Sequence, residues 1–277
     1  MTSPFLKYIA GSNNDLEVQR AIVDSDFVCH DIDDTLGQYT EFQSFLRLRP
    51  DFCRVLFAGE PGSGKKTLLA LCLRHLREKQ PGTQVTYLQE PNIDDEQLWE
   101  KVLLDKLNLL QRDKLNSLDD VSRLWNADCR LVIVISDSSP AFAAHFLNRL
   151  SLVGVHILVT VSDKFDVRVV TAGVHRKRHP VSTCKLGYVC RNSVKAFIEF
   201  VVANPKENSQ ETYFTLEHGL SDYLADNLVN NKPHLSMHHL CRLMNAICEA
   251  AIISDSTKLT KDIAHQAMFQ AYSEQQS

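Results

Sequence analysis

Four stretches of the chain are continuously apolar, and segments with helical patterning separate them. Residues 53–58, 85–88, 131–135 and 155–161 are rich in Val, Ile, Leu and Phe and show no in–out alternation. Such runs mark strands buried on both faces. A weaker fifth strand is expected at 182–186. Between them, residues 37–49 place Tyr39, Phe42, Phe45, Leu46 and Leu48 largely on one side of a helix, which Arg49-Pro50-Asp51 ends. Residues 64–79 set Leu68, Leu69, Leu71, Cys72 and Leu76 against Arg74, Arg77, Glu78 and Lys79, and Pro81-Gly82 stops that helix. Further helices are expected at about 95–110, after the polar loop Glu90–Asp95, and at 118–126 and 140–150. A short one at 13–25 opens on Asn13-Asn14-Asp15. Apolar strands alternating with helices predict an α/β fold, with a parallel five-stranded sheet covered on both faces.

After Tyr188 the period changes. Residues 191–203, 216–229, 235–253 and 260–272 all read as helices, and Leu240, Leu243, Met244, Ile247 and Ala251 form an apolar stripe in the third. The expected organisation is a helical segment at 1–50, an α/β domain at 51–188 and a helical subdomain at 189–277.

The chemistry concentrates between the first strand and its helix. There the chain reads Gly59-Glu60-Pro61-Gly62-Ser63-Gly64-Lys65-Lys66-Thr67. A strand, a glycine-rich turn and a helix in that order make the context of a phosphate-binding P-loop. Gly59, Gly62 and Gly64 let the backbone turn its N–H groups toward an anion, and the helix adds the positive end of its dipole. Lys65 stands where a lysine reaches the β- and γ-phosphates, so residues 59–67 are the candidate site for ATP or ADP. The next position departs from the pattern. A hydroxyl there would ligate Mg²⁺, but residue 66 is Lys, and Thr67 lies roughly 100° further round the helix. Two arrangements remain open: Lys66 turns outward, or its ammonium stands where the metal would.

Composition narrows the classes. The 277 residues are 44% hydrophobic and 23% charged, enough for a sizeable α/β domain and a smaller helical one. A net charge of −4 argues against broad nucleic-acid binding, though not against a local patch. His175-Arg176-Lys177-Arg178-His179 is the one basic cluster and is a candidate contact for a neighbouring subunit, nucleic acid or an acidic partner, or else a solvated loop. No apolar run reaches membrane-spanning length, and the start has no signal-peptide pattern. Eight scattered cysteines without a C-x-x-C pair read as buried, reduced thiols, which fits a cytoplasmic protein. His75 and His145, single in helices, read as structural.

The P-loop, the sheet order and the helical tail together resemble the AAA+ ATPases. Within them the chain is similar to the ExeA/GspA/MshM-like bacterial group, related to transposition ATPases of the TniB/MuB kind. The tail likeness rests on Phe214-Thr215 opening a helix, on Met237–Ala246, and on Leu259-Thr260-Lys261-Asp262 opening the last helix. The resemblance covers about 53–272. It implies a helical lid, oligomers, and a third strand ending in Asp-Glu for magnesium and water. Here that strand ends Ile135-Ser136-Asp137-Ser138. Either Ser136 replaces the Asp and Asp137 the Glu, or Asp137 is the magnesium residue and Ser138 replaces the base. Asp137 is thus the catalytic and metal candidate, unless it only caps the following helix with Ser138 and Ser139. Thr160, Ser162 and Asp163 are candidates for the polar sensor after the fourth strand. Lys232-Pro233-His234-Leu235-Ser236 lacks the second-sensor Arg, and Arg242 is expected on the lid surface. The chain is therefore expected to bind an adenine nucleotide with weak or absent hydrolysis, acting as an assembly or regulatory partner. The alternatives are an active oligomeric ATPase remodelling a protein or DNA complex, and a scaffold with an empty P-loop.

Overall fold

The computed structural model describes residues 3–4, 33–48, 52–59, 63–88, 96–110, 114–121, 125, 130–150, 155–161, 164–174, 181–186, 189–203, 213–231 and 235–273. The expected helix at 13–25 lies outside them. The chain divides into two compact units, one of residues 37–60 and 68–186, the other of residues 1–36, 61–67 and 187–277.

In the first unit the apolar runs become the strands β1 (Arg54–Ala58), β2 (Gln84–Leu88), β3 (Leu131–Ser138), β4 (Val155–Val161) and β5 (Ser182–Lys185). All pair in parallel, in the order β2-β3-β4-β1-β5. Every residue of β1 and β4 is buried, as unalternated apolar runs require. Because the strands are parallel, the carboxyl ends of β1, β3 and β4 share one edge of the sheet. α1 (Asp33–Leu48) sets Phe42 edge-on against His75 of α2 (Lys65–Lys79), with ring centroids 6.2 Å apart. α3 (Glu96–Leu110) buries Trp99, Leu103 and Leu107, one turn apart. Trp99 meets Phe146 of α4 (Pro140–Arg149) with centroids 4.9 Å apart, and His145 at 5.8 Å. Each such aromatic contributes about 1.5–3 kcal/mol by burial.

The opposite edge of the sheet holds a buried polar knot. Nδ1 of His156 accepts from the Cys53 N–H at 3.0 Å, which leaves the ring proton on Nε2, 3.0 Å from Gln80 Oε1. Arg54 donates to the Leu147 carbonyl nearby. Cys53, Cys72 and Cys184 are buried free thiols, and burial pushes Cys184 up to about 12, so it stays a thiol. Cys190 departs from the expectation, being exposed.

Two local expectations are corrected. α5 (Lys164–Gly173) was not expected as an element. The expected helix at 118–126 opens with a 3₁₀ turn over Leu118–Asp120, where the Asp120 carboxylate accepts from the Ser117 N–H at 3.1 Å, and the Trp125 N–H donates to the Val121 carbonyl at 3.0 Å; residues 122–124 and 126 lie outside the described residues. After residue 188 the chain is not wholly helical. β6 (Thr215–Leu216) pairs in parallel with β7 (Lys258–Leu259), so Thr215 lies in a strand rather than opening a helix.

Beyond residue 190 this unit also holds the helices α6 (Arg191–Ala203), α7 (Leu220–Asn231), α8 (Met237–Ile253) and α9 (Lys261–Ser273). Leu240, Met244, Ile247 and Ala251 carry the predicted stripe of α8 into its core. Gly219, at φ +73°, turns the chain from β6 into α7, a conformation that favours glycine. On the surface Arg191 bridges Asp222 and Asp226, and Lys195 bonds Asp222 at 2.9 Å. The Lys195 hydrogen bond, followed by that of Arg191, holds the Asp222 carboxyl below its ordinary range. Among the described residues no helix is long and apolar enough to cross a membrane.

Candidate functional site

The candidate site grows out of β1. Gly59 follows Ala58 directly and is buried. Glu60, Pro61 and Gly62 lie outside the described residues. At the far side of the turn Gly64 has φ +92°, which a residue with a Cβ adopts only under strain. A Cβ built there meets nothing within 4 Å, so open space adjoins the backbone at the point where a phosphate oxygen would approach. The Ser63 hydroxyl oxygen is buried and has no hydrogen-bond partner among the described residues. A buried, unsatisfied donor costs free energy, which a ligand oxygen at that place would recover. Lys65 is the first residue of α2, and only 6% of it is exposed. α2 has no acidic residue in its first turn, so nothing there offsets the positive end of its dipole. Gly59, Ser63, Gly64, Lys65, Lys66 and Thr67 thus lie, as the sequence predicts, on one strand–turn–helix element.

The end of β3 is irregular. Ile135 pairs with Val159 and Ser138 with Val161, so three steps on β3 face two on β4, and a bulge falls at Ser136-Asp137. Bulges re-aim side chains and recur beside functional sites. Ser136 is half-buried, while the Asp137 side chain lies outside the described set. Ser138 is 3% exposed, and its hydroxyl donates to the Ser139 carbonyl at 3.1 Å. Ser139, not Asp137, is the cap of α4: its Oγ accepts from the Phe142 N–H at 3.3 Å, with Pro140 at the first helical position. Ser139→Ala is expected to lower the unfolding free energy by about 1 kcal/mol through loss of that cap. Urea denaturation is the measurement, and an unchanged midpoint would show that the cap contributes nothing.

Of the sensor candidates, Thr160 is fully buried in β4 opposite Phe57 of β1. Ser162, Asp163 and the basic run 175–179 lie outside the described residues, as do Lys232, Pro233 and His234. Ser236 caps α8, accepting from the His239 N–H, and Arg242 is exposed, as expected of a surface residue. The sequence reading passed over His238 in the first turn of α8. Its Nδ1 is buried without a partner among the described residues, and burial, then the charge of Arg242, lowers its pKa. The only sequence signal was its place two residues after a capping serine.

Magnesium, which this fold implies, does not fit the residues present. An ammonium occupies position 66 where a hydroxyl ligand is needed, and a charged ammonium has no lone pair to offer. The Ser138 hydroxyl is engaged with backbone, and the β3 end carries one carboxylate. Among the described residues no group of three or more His, Cys, Asp or Glu side chains could hold a metal.

No family model and no curated protein matches the chain. Solved structures do. The ORC2 protein of Aeropyrum pernix, solved as ADPNP–ADP complexes, superimposes with a TM-score of 0.56 at 13% identity, over 83% of this chain and 66% of its own length. The RuvB Holliday junction branch migration motor of Thermotoga maritima gives 0.53 at 13% identity, over 85% of this chain and 68% of RuvB. The chain therefore spans less than two thirds of ORC2. Both proteins are AAA+ P-loop ATPases, and this chain has their fold.

Proposed function

We propose that the chain binds an adenine nucleotide at residues 59–67, hydrolyses it slowly or not at all, and acts as a regulatory or assembly partner. The observation that carries this reading is the turn between β1 and α2: a positive-φ Gly64 facing open space, a buried Ser63 hydroxyl without a partner among the described residues and a buried Lys65, all following the strand that pairs with β4. The adenine base is taken from ORC2, solved with ADP and ADPNP. Slow turnover is argued from Lys66 and the single carboxylate, Asp137. The sequence likeness to the ExeA-like group favours a role in assembly, and oligomers would follow the habit of the fold.

Calorimetric titration of the purified protein with ATP and with ADP tests the reading. Saturable binding of either is expected, together with a rise in melting temperature by mass action. Absence of heat and of any thermal shift with both nucleotides would leave the scaffold alternative in its place. An active oligomeric remodeller would instead show brisk phosphate release.

A further inference from the structure

We infer that the phosphate site takes its nucleotide free of magnesium, with the Lys66 ammonium supplying the counter-charge. This rests on the nucleotide-binding reading above and specifies the ligand: a metal-free nucleoside triphosphate or diphosphate.

The sequence left Lys66 two directions, and its surroundings on α2 bear on both. At roughly 100° per residue, Lys66 lies within about 20° of Leu73 and 40° of Ala70 round the helix axis. Those residues are 1% and 2% exposed, and Lys66 itself is half-buried. Thr67, also half-buried, lies within about 20° of Arg74 and Glu78, whose side chains are 28% and 60% exposed, and about 40° from Leu71, 5% exposed; the exposed Arg77 lies about 20° from Lys66. Lys66 and Thr67 therefore both stand on the partly covered rim of the helix, about 100° apart, and the charges decide between the two directions. A threonine one position late cannot substitute for a hydroxyl at 66 without rotating the whole helix, whose Leu68, Leu69, Cys72 and Leu76 are locked in the core.

The charges then favour one occupant. A nucleotide polyphosphate brings several negative charges to a turn that already presents Lys65, Lys66, the Ser63 hydroxyl and a helix N-terminus without acidic residues. A divalent cation at the same place would meet the Lys66 ammonium as a like charge, with no protein hydroxyl from α2 to hold it. The ammonium instead reaches phosphate oxygens directly through charge-assisted hydrogen bonds. Binding so built falls as salt rises, because part of the site is open to solvent.

The experiment is calorimetric titration with ATP in excess magnesium and again in excess EDTA, on the parent, K66T and K66M, each checked for folding by circular dichroism. For the parent, the two affinities are expected to agree within about threefold. Loss of one charge-assisted contact corresponds to roughly 10- to 150-fold, so both variants should weaken by that factor in EDTA. Magnesium should restore K66T, which regains a hydroxyl, and leave K66M weak, because its thioether keeps the stem but ligates poorly. Parent binding that appears only with magnesium overturns the inference and leaves the nucleotide-binding reading intact. Equal affinity of K66M and the parent in EDTA also overturns it. Absence of parent binding in both media overturns the inference together with the reading on which it rests.

Discussion

Lys65→Ala is expected to weaken ATP and ADP binding by roughly 10- to 150-fold, the equivalent of one charge-assisted contact worth about 1.5–3 kcal/mol. The side chain starts at the first residue of α2, is 6% exposed, and extends from the helix stripe shared by Leu68, Leu69 and Cys72. A lysine so enclosed carries its charge at a cost, and an anion in the turn offsets that cost. The alanine variant removes the charge but leaves Gly64, Ser63 and the helix dipole in place, so residual binding should remain. The variant should still fold, since alanine is the better helix former at the head of α2. Thermal denaturation should show a cooperative transition without nucleotide, while the rise in melting temperature on adding ATP shrinks. An unchanged ATP affinity in Lys65→Ala would remove the P-loop from the account.

Much of the fold could be read in advance because its signals are local. β1, β3 and β4 are continuous β-branched or Leu-rich runs, and only a strand buried on both faces uses such runs at that length. The P-loop is legible because its spacing is fixed within one turn. The failures have physical causes. α5 contains Val167, Val169 and Val170 around Arg168, a β-branched cluster that reads against helix although Val167, Val170 and Val174 bury along one face. β6 and β7 have two residues each, too few for any period, and exist only because distant segments meet. At the site, the sequence left the register of Ser136 and Asp137 undecided by one residue. A run buried on both faces has no alternation to fix that register, and the structure adds a bulge between Ile135 and Ser138 that no local signal marks. His238 lies within the tail stretch Met237–Ala246, and no local pattern signals that its Nδ1 is buried.

Restoring the acidic and hydroxyl groups is expected to raise hydrolysis from a low parent level by about 100-fold or more, the usual contribution of a positioned general base. The variant is Lys66→Thr with Ser136→Asp and Asp137→Glu. It places a hydroxyl at the head of α2, on the flank beside Leu73, and two carboxylates at the end of β3. The choice of positions follows from the strand end. Ser138 is buried and already bonded to the Ser139 carbonyl, so a glutamate there would be crowded and would disturb the cap of α4. Ser136 is half-buried and sits in the bulge, where a longer side chain can be accommodated. A second variant, Lys66→Thr with Ser138→Glu, serves the alternative register and is expected to gain little and to fold less stably. Steady-state phosphate release with magnesium and with EDTA is the measurement. The parent should be slow in both media, because its strand end has a single carboxylate and its helix an ammonium in the hydroxyl's place. The triple variant should turn over in magnesium and stop in EDTA. Brisk magnesium-dependent release by the parent would defeat the assignment, since one carboxylate and Lys66 would then suffice for chemistry that they are argued not to support. Recovery in the Ser138→Glu variant alone would move the magnesium position to Asp137.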